Sequence, residues 1–362
     1  MAGRKRALES LEIGTFWRGK NVLLTGHTGF KGSWLAEILL QRGANVVGCA
    51  LAADRKDDLF NICRLEQRLN HNIVDVRDQT QLLRIFKRTM PDVVFHLAAR
   101  PLVLSSYEDP VLTWDTNVTG SLNVLECLRT VDHRCAVVMV TTDKVYELDA
   151  SKVSKSEIDH LGGHDPYSSS KAAMEIAVSS WRRSFFSQSK VRIATARAGN
   201  VIGGGDWSSH RIIPDLVVAL QHKNELELRD PDAVRPWQHV LDPLFGYLKL
   251  AEVLYTEDKN IFQTSFNFGP SNRSAATVID LVNSFGEAWG EEVKRSVKNS
   301  TQHEAPFLSL NSSKAQNLLG WEARWDFSKT VHHTAYWYKN YLRGGDAASL
   351  LREQIDAYTA EV

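Results

Sequence analysis

The sequence predicts an α/β fold in which a doubly wound parallel sheet carries a smaller C-terminal lobe of mixed α and β structure. Three observations lead there. Short runs rich in Val, Ile and Leu recur at 21–24, 44–50, 71–74, 93–97, 136–140 and 192–198, as expected of strands buried on both faces. Helical patterns at 33–42, 79–89, 118–130 and 170–186 are interleaved with them, and right-handed crossovers then build the sheet. Directly behind the first strand, Gly26-His27-Thr28-Gly29-Phe30-Lys31-Gly32 forms a tight turn that opens the first helix.

That turn places free backbone N–H groups and the positive end of a helix against a pyrophosphate, so a Rossmann-like fold with a dinucleotide cofactor is expected. Its G-x-x-G-x-x-G spacing departs from G-x-G-x-x-G, and a glycine string alone can be no more than a turn. The second strand should be followed by an acid about 20 residues beyond the glycines, where the adenosine ribose binds. Leu51-Ala52-Ala53 stands there, with Asp54 and Arg55 next, so these residues leave NAD and NADP both open. After the third strand, Asp75 is placed either to meet the adenine amino group or to cap a turn.

The fifth strand ends in Thr141-Thr142-Asp143-Lys144, which presents a hydroxyl, a carboxyl and an amine at the rim where such folds bind ligands. A solvated turn would also use these residues. In the next helix, Tyr167 and Lys171 stand four residues apart on one face, where the ammonium can hold the phenol's pKa down for acid/base work. A phenolate can accept a hydroxyl proton while a nicotinamide takes hydride from the same carbon, Lys144 can remove a carbon-bound proton, and Asp143 can protonate a leaving group.

Beyond residue 199 the regular alternation breaks at Gly203-Gly204-Gly205-Asp206-Trp207 and at two prolines, Pro231 and Pro236. A flexible tail at 1–15, a cofactor-binding unit at 16–199 and a mainly substrate-binding lobe at 200–362 are expected, with 238–268 returning to the large unit. In that return, 240–254 reads as a helix and 265–268 as a strand. Arg197, Arg211 and Arg235 suit a diphosphate, since guanidinium forks phosphate oxygens, though each could equally serve a salt bridge. Trp207 and Trp237 could stack on a base.

The chain has 362 residues, with Lys+Arg and Asp+Glu equal at 43 and a formal charge of zero. No general attraction for nucleic acid or an anionic membrane follows. Cys49, Cys63, Cys127 and Cys135 form no C-x-x-C pair and no zinc-like pattern with histidine, which fits a reduced cytoplasmic chain without a metal. No apolar stretch approaches the roughly 20 residues of a membrane span, and the basic start runs into Glu9 and Glu12 without a signal core.

With His96-Leu97-Ala98-Ala99, Asn117 and Arg197-Ala198-Gly199-Asn200-Val201-Ile202-Gly203-Gly204-Gly205-Asp206-Trp207 added in order, the chain resembles the extended short-chain dehydrogenase/reductases. Among them it is most similar to the nucleotide-sugar 4,6-dehydratases acting on CDP-glucose. Lys144 marks that branch, whereas dTDP- and GDP-sugar dehydratases carry Glu after the active-site Asp. The resemblance implies a hydro-lyase using tightly held NAD: C4 is oxidised, water leaves across C5 and C6, and the hydride returns to C6. Its product would be a precursor of deoxysugars for surface polysaccharide.

The resemblance further implies roles for residues. Tyr167 and Lys171 serve redox at C4, Lys144 the C5 proton and Asp143 the C6 hydroxyl, beside Thr142. NAD is expected at Gly26, Thr28, Gly29, Phe30, Lys31, Gly32, Asp75, Val76, Leu97, Ala98, Ala99, Asn117, Thr141, Tyr167 and Lys171, and the nucleotide sugar at Asn200, Arg211, Arg235 and His239. Relatives pair helices such as 118–130 and 170–186, so a homodimer is expected, with a tetramer as the larger alternative. Departures from the family's pattern fall on the sugar side: Ser151-Lys152-Val153-Ser154-Lys155-Ser156-Glu157 replaces a Trp-Gly-Tyr-Arg-Glu stretch, Arg100 a Gln and Ser169 an Asn. The alternatives are a 4-epimerase, a dehydratase for another NDP-hexose, and an NAD-binding sensor or scaffold without turnover. Asp143-Lys144 speaks against the epimerase, which needs no acid and base at C5 and C6.

Overall fold

A computed structural model describes residues 15–147, 153–270, 275–297 and 309–361. The tail expected at 1–15 therefore lies almost wholly outside the described residues, as do Ser151 and Lys152. Seven parallel strands form the central sheet: β1 (Asn21–Thr25), β2 (Asn45–Ala50), β3 (Asn70–Ile73), β4 (Val93–His96), β5 (Cys135–Thr142), β6 (Val191–Ala198) and β7 (Ser265–Phe268), in the order β7-β6-β5-β4-β1-β2-β3. β1 pairs with both β2 and β4. The strand order reverses there, and that switch point opens a crevice at the carboxyl ends of the strands.

Helices cover both faces: α1 (Phe30–Gln41), α2 (Gln79–Thr89), α3 (Gly120–Leu128), α4 (Pro166–Ser184), α5 (Ile212–His222), α6 (Leu241–Thr256), α7 (Val278–Trp289), α8 (Phe327–Leu342) and α9 (Ala347–Ala360). Alternation along the strands divides the core. Val22 and Leu24 of β1 face Trp34, Leu35 and Ile38 of α1 and the core of the C-terminal lobe. Leu23 faces the opposite layer, with Leu82 of α2, Val124 of α3 and Val178 of α4. Period-2 side-chain geometry thus feeds two separate apolar layers from one strand.

Caps explain where the helices begin. Asp165 accepts from the backbone N–H of Ser168 at 2.9 Å, and Pro166 occupies the first helical position. α4 therefore starts four residues ahead of the patterned stretch at 170, carrying Tyr167 inside its first turn. A π-helical turn, Asp115–Thr119, leads into α3. Two short helices absent from the sequence reading, Val103–Glu108 and Pro110–Trp114, lie between β4 and this turn.

The C-terminal lobe gathers α5, α7, α8, α9 and three two-stranded ladders. Chain return occurs through α6, packed on β5 and β6, and through β7, which pairs with β6 from Ser265↔Thr195 to Phe268↔Ala198.

The start of α1 rests directly on the turn before it. Gly26 has φ +74°, and a Cβ there would lie 2.6 Å from the backbone N of Ala98. At Gly32 a Cβ would meet the Gly26 carbonyl oxygen at 2.1 Å and the Cα of His27 at 2.7 Å. These are backbone atoms that cannot rotate away. Gly32→Ala should therefore cost about 1–3 kcal/mol as the helix is forced off the turn, read as a lower melting temperature. An unchanged melt would show that this contact relaxes freely.

Candidate active site

A cleft of about 1110 Å³ runs along the carboxyl ends of the strands and under the lobe. The turn residues Gly26, Thr28, Gly29, Phe30, Lys31 and Gly32 form one wall, with Asp75, Val76, Leu97, Ala98 and Ala99 beyond them. The other side carries Thr141, Thr142, Asp143, Lys144, Tyr167 and Lys171, and the lobe contributes Asn200, Arg211 and Arg235. Sequence-distant groups are thereby brought to one space.

At its start α1 presents unpaired N–H groups, as every helix does, and carries no acidic side chain in the first turn. Lys31 in that turn faces the same cleft. Burial, with Arg211 as the next cause, lowers its ammonium to about 8. Unpaired N–H groups, a helix dipole and this cation fit the pyrophosphate of a dinucleotide. Thr28 holds the turn by donating to Leu51 O at 3.0 Å.

Thr142 is the hub of the opposite wall. Its hydroxyl donates to Asp143 Oδ1 at 3.0 Å and accepts from the Lys144 backbone N–H at 3.4 Å. Lys144 Nζ lies 3.6 Å from Asp143 Oδ1 and donates to Asn200 Oδ1 at 3.3 Å. One small substrate could thus meet a phenol, a carboxyl and an amine together.

Lys171 differs from expectation. Its Nζ donates to Val140 O at 3.1 Å, and burial, followed by repulsion from Lys31, lowers it to about 8. Burial pushes the Tyr167 phenol up to about 12, opposed chiefly by Thr142 rather than by Lys171. The four-residue spacing put both groups on one face without making the ammonium the phenol's main stabiliser.

Several expected ligand contacts prove to be internal. Asn117 is fully buried and lies behind the cleft wall: it accepts from Arg100 N at 2.8 Å and donates to Arg100 O at 3.2 Å and Ser170 Oγ at 2.9 Å. His239 is fully buried within the lobe, its ring 5.8 Å from that of Trp34 and 4.6 Å from that of Trp325. Desolvation lowers its pKa well below the ordinary value, and it stands directly behind Gly203 of the cleft wall. Trp207 packs on Tyr338 at 5.1 Å, whereas Trp237 does line the cleft. Asp75 lines it too, with its carboxylate held low by Arg77 at 2.7 Å. Arg55 is engaged by Asp57 and by Trp207 O.

Arg197, grouped in sequence with the diphosphate candidates, is 3% exposed and paired with equally buried Glu175. Nε reaches Oε1 at 3.0 Å and Nη2 reaches Oε2 at 2.9 Å. Thr141 and Thr195 donate to the same carboxylate at 2.6 and 2.7 Å. Glu175 went unremarked in the sequence. One readable signal was its place one turn beyond Lys171, on the same face of the helix.

Comparisons with known proteins agree with this geometry. The family model described as GDP-mannose 4,6 dehydratase matches residues 23–334. CDP-glucose 4,6-dehydratase of Salmonella typhimurium (strain LT2) is 42% identical over 349 residues, covering 95% of this chain and 97% of that protein. Among solved structures, dTDP-glucose 4,6-dehydratase of Bacillus anthracis in complex with NAD superposes with a TM-score of 0.72 at 23% identity, covering 88% of this chain and 96% of that one. UDP-glucose 4-epimerase of Stenotrophomonas maltophila with bound NAD reaches a TM-score of 0.78 at 21% identity, covering 90% of this chain and 100% of that one. These two structures share the fold.

The Glu175–Arg197 pair has a pH signature. Burial alone would raise the carboxyl, but the Arg197 charge and the hydrogen bonds from Arg197, Thr141 and Thr195 outweigh it and hold Glu175 below its ordinary 4.5. Its stabilising contribution is fully present above that ordinary value and is lost as pH falls through the depressed one. Glu175→Gln should cost about 3–5 kcal/mol at neutral pH, because Arg197 stays buried without a counter-charge. The gap to the wild type should close on acidification in chemical denaturation. A pH-independent gap would exclude the ion pair as its cause.

Proposed function

Because the chain belongs to the GDP-mannose 4,6-dehydratase family, we propose that it converts CDP-glucose into CDP-4-dehydro-6-deoxyglucose as an NAD-dependent hydro-lyase. One observation carries the reading: Asp143 and Lys144 share a single cleft with Tyr167 and Lys171. An epimerase uses the second pair without needing the first.

When bound, NAD+ supplies the acceptor for the C4 hydride and, once reduced, returns that hydride to C6. Tyr167 accepts the C4 hydroxyl proton. Lys171 adds positive charge beside the site. Lys144 Nζ removes the C5 proton, Asp143 protonates the departing C6 hydroxyl, and the resulting Lys144 ammonium returns a proton to C5 as hydride reaches C6. Arg211, held by Asp206 at 2.6 Å, and Arg235 receive the substrate diphosphate. Residues 16–199 hold the cofactor and the lobe from 200 holds the nucleotide.

Among the described residues no helix is long and apolar enough to cross a membrane, and no cluster suited to a metal ion is present. The four cysteines are free and buried, in keeping with a cytoplasmic setting. Val111 is 78% exposed, Trp114 41% and Ile176 61%. They mark an apolar face where Pro110–Trp114 packs beside α4, and a second copy of this chain covers it as at least a dimer.

Purified protein given a panel of nucleoside-diphosphate glucoses should form a 4-keto product from CDP-glucose; a 4-epimer formed without loss of water would establish the epimerase instead. Lys144→Met should still reduce bound NAD+ with substrate and then stall before elimination, and wild-type product formation would remove Lys144 from the chemistry. Backbone carbonyls of 203–207 and 213–216 are the groups proposed to read the exocyclic amine of cytosine. The specificity constant for CDP-glucose should then exceed those for dTDP- and UDP-glucose by at least about a hundredfold; equal values would overturn the choice of base while leaving the dehydration standing. Sedimentation should give a mass of at least two chains, and a concentration-independent monomer would rule out the apolar face as a seam.

A further inference from the structure

A chain of buried hydrogen bonds runs from Glu175 to the part of the sequence that departs from the family's pattern. Arg197 Nη1 donates to Tyr146 Oη at 2.8 Å, and the Tyr146 hydroxyl donates to Asn267 Oδ1 at 2.7 Å. Asn267 Nδ2 donates to Lys155 O at 2.9 Å, and its backbone N–H to Glu157 Oε1 at 2.8 Å. Glu175, Arg197, Tyr146 and Asn267 are each no more than 3% exposed, and each of these groups has a partner. A fully satisfied buried network of this kind holds its members in one arrangement.

The segment Thr142-Asp143-Lys144-Val145 lies between two attachments to this network. Thr141 is bound to Glu175 before it, and Tyr146 to Arg197 and Asn267 after it. Glu175 shares α4 with Tyr167 and Lys171. The same network therefore grips the helix bearing one pair of proposed reacting groups and the turn bearing the other. Its outer end is segment 155–157, joined to the turn through Asn267 and Tyr146 in the bonds above, while the stretch that follows it pairs with the end of the turn, Gly162 N–H donating to Val145 O at 2.8 Å and Glu147 N–H to His160 O at 2.9 Å.

We propose that Tyr146 is a positioning residue for elimination: its hydroxyl sets Asp143 and Lys144 in register with Tyr167 and Lys171, and through Asn267 makes that register depend on how segment 155–157 is seated. This rests on the roles given above to Asp143 and Lys144. Tyr146→Phe leaves the ring and removes the link. The C4 oxidation groups sit on α4 and keep their hold through Glu175, whereas the turn loses one of its two attachments to this network and keeps its backbone pairs with 160–162. A misplacement of about 1 Å at a reacting group can cost about a hundredfold in rate.

The test uses the NAD-loaded enzyme mixed rapidly with CDP-glucose, following reduced nicotinamide by absorbance and product by chromatography, with melting temperature measured in parallel. Tyr146→Phe should reduce the nicotinamide at near the wild-type rate, accumulate it and lose about 10- to 100-fold in kcat, with KM within about threefold of wild type. Glu157→Ala, at the half-buried outer end, should show the same split more weakly and decides the matter if Tyr146→Phe does not fold. A lower melting temperature with no accumulation, or oxidation and elimination slowed equally, would reduce the network to a structural role and overturn the proposal. Lys144→Met separates the two levels. Accumulation there but in neither other variant refutes the positioning alone, while none in Lys144→Met removes the assigned elimination roles and the positioning with them.

Discussion

Much of this molecule depends on a carboxylate and a guanidinium buried together between α4 and β6. Placing two ions in a dry interior costs several kcal/mol each unless their remaining hydrogen-bonding positions are filled. Around Glu175 they are filled by Thr141, Thr195, Ser265 and the Arg197 fork. Four elements supply those groups: β5, β6, β7 and α4. None can slide without stranding a charge, so the helix bearing Tyr167 and Lys171 stands at one height against the strand end bearing Thr142 and Asp143.

The cleft beside this fixed block is lined by cations and carboxylates together. Lys31, Lys144, Lys171, Arg211 and Arg235 all face it. Burial is the largest influence on Lys31 and Lys171, and each also feels neighbouring cations that lower it further. Asp143 and Glu175 offset part of that repulsion. Two diphosphates, one on the cofactor and one on the substrate, would each meet cations already facing the space they enter.

The sheet was largely legible because its strands are buried on both faces and therefore read as uninterrupted apolar runs; β4 and β6 were placed to within a residue at each end. The helix starts were less so, since periodicity begins only after the capping residues, as Asp165 and Pro166 show. Val103–Glu108 and Pro110–Trp114 were missed for a different reason: each is under two turns long, too short for a period to repeat. In the candidate site, motif spacing located Thr142, Asp143, Lys144, Tyr167 and Lys171. It could not separate Arg197 from Arg211, because a guanidinium suits a phosphate and a buried carboxylate equally well. Only tertiary proximity distinguishes Glu175, 22 positions earlier, as its partner. Asn117 illustrates the same blindness, being a polar side chain whose partners are other parts of the chain.

The late arrival of β7 bears on how the polypeptide can be divided. It is laid beside β6 only after the chain has built α5, the intervening ladder strands and α6. A fragment stopping at residue 199 would keep the glycine turn and the Tyr/Lys helix yet leave the outer edge of β6 bare, with Ile193, Ala194 and Ala196 in a strand offering unpaired N–H and C=O groups. Open, apolar edges of that kind recruit other strands. The half up to residue 199 is thus an incomplete folding unit, and cutting there would yield a sticky sheet in place of a minimal domain.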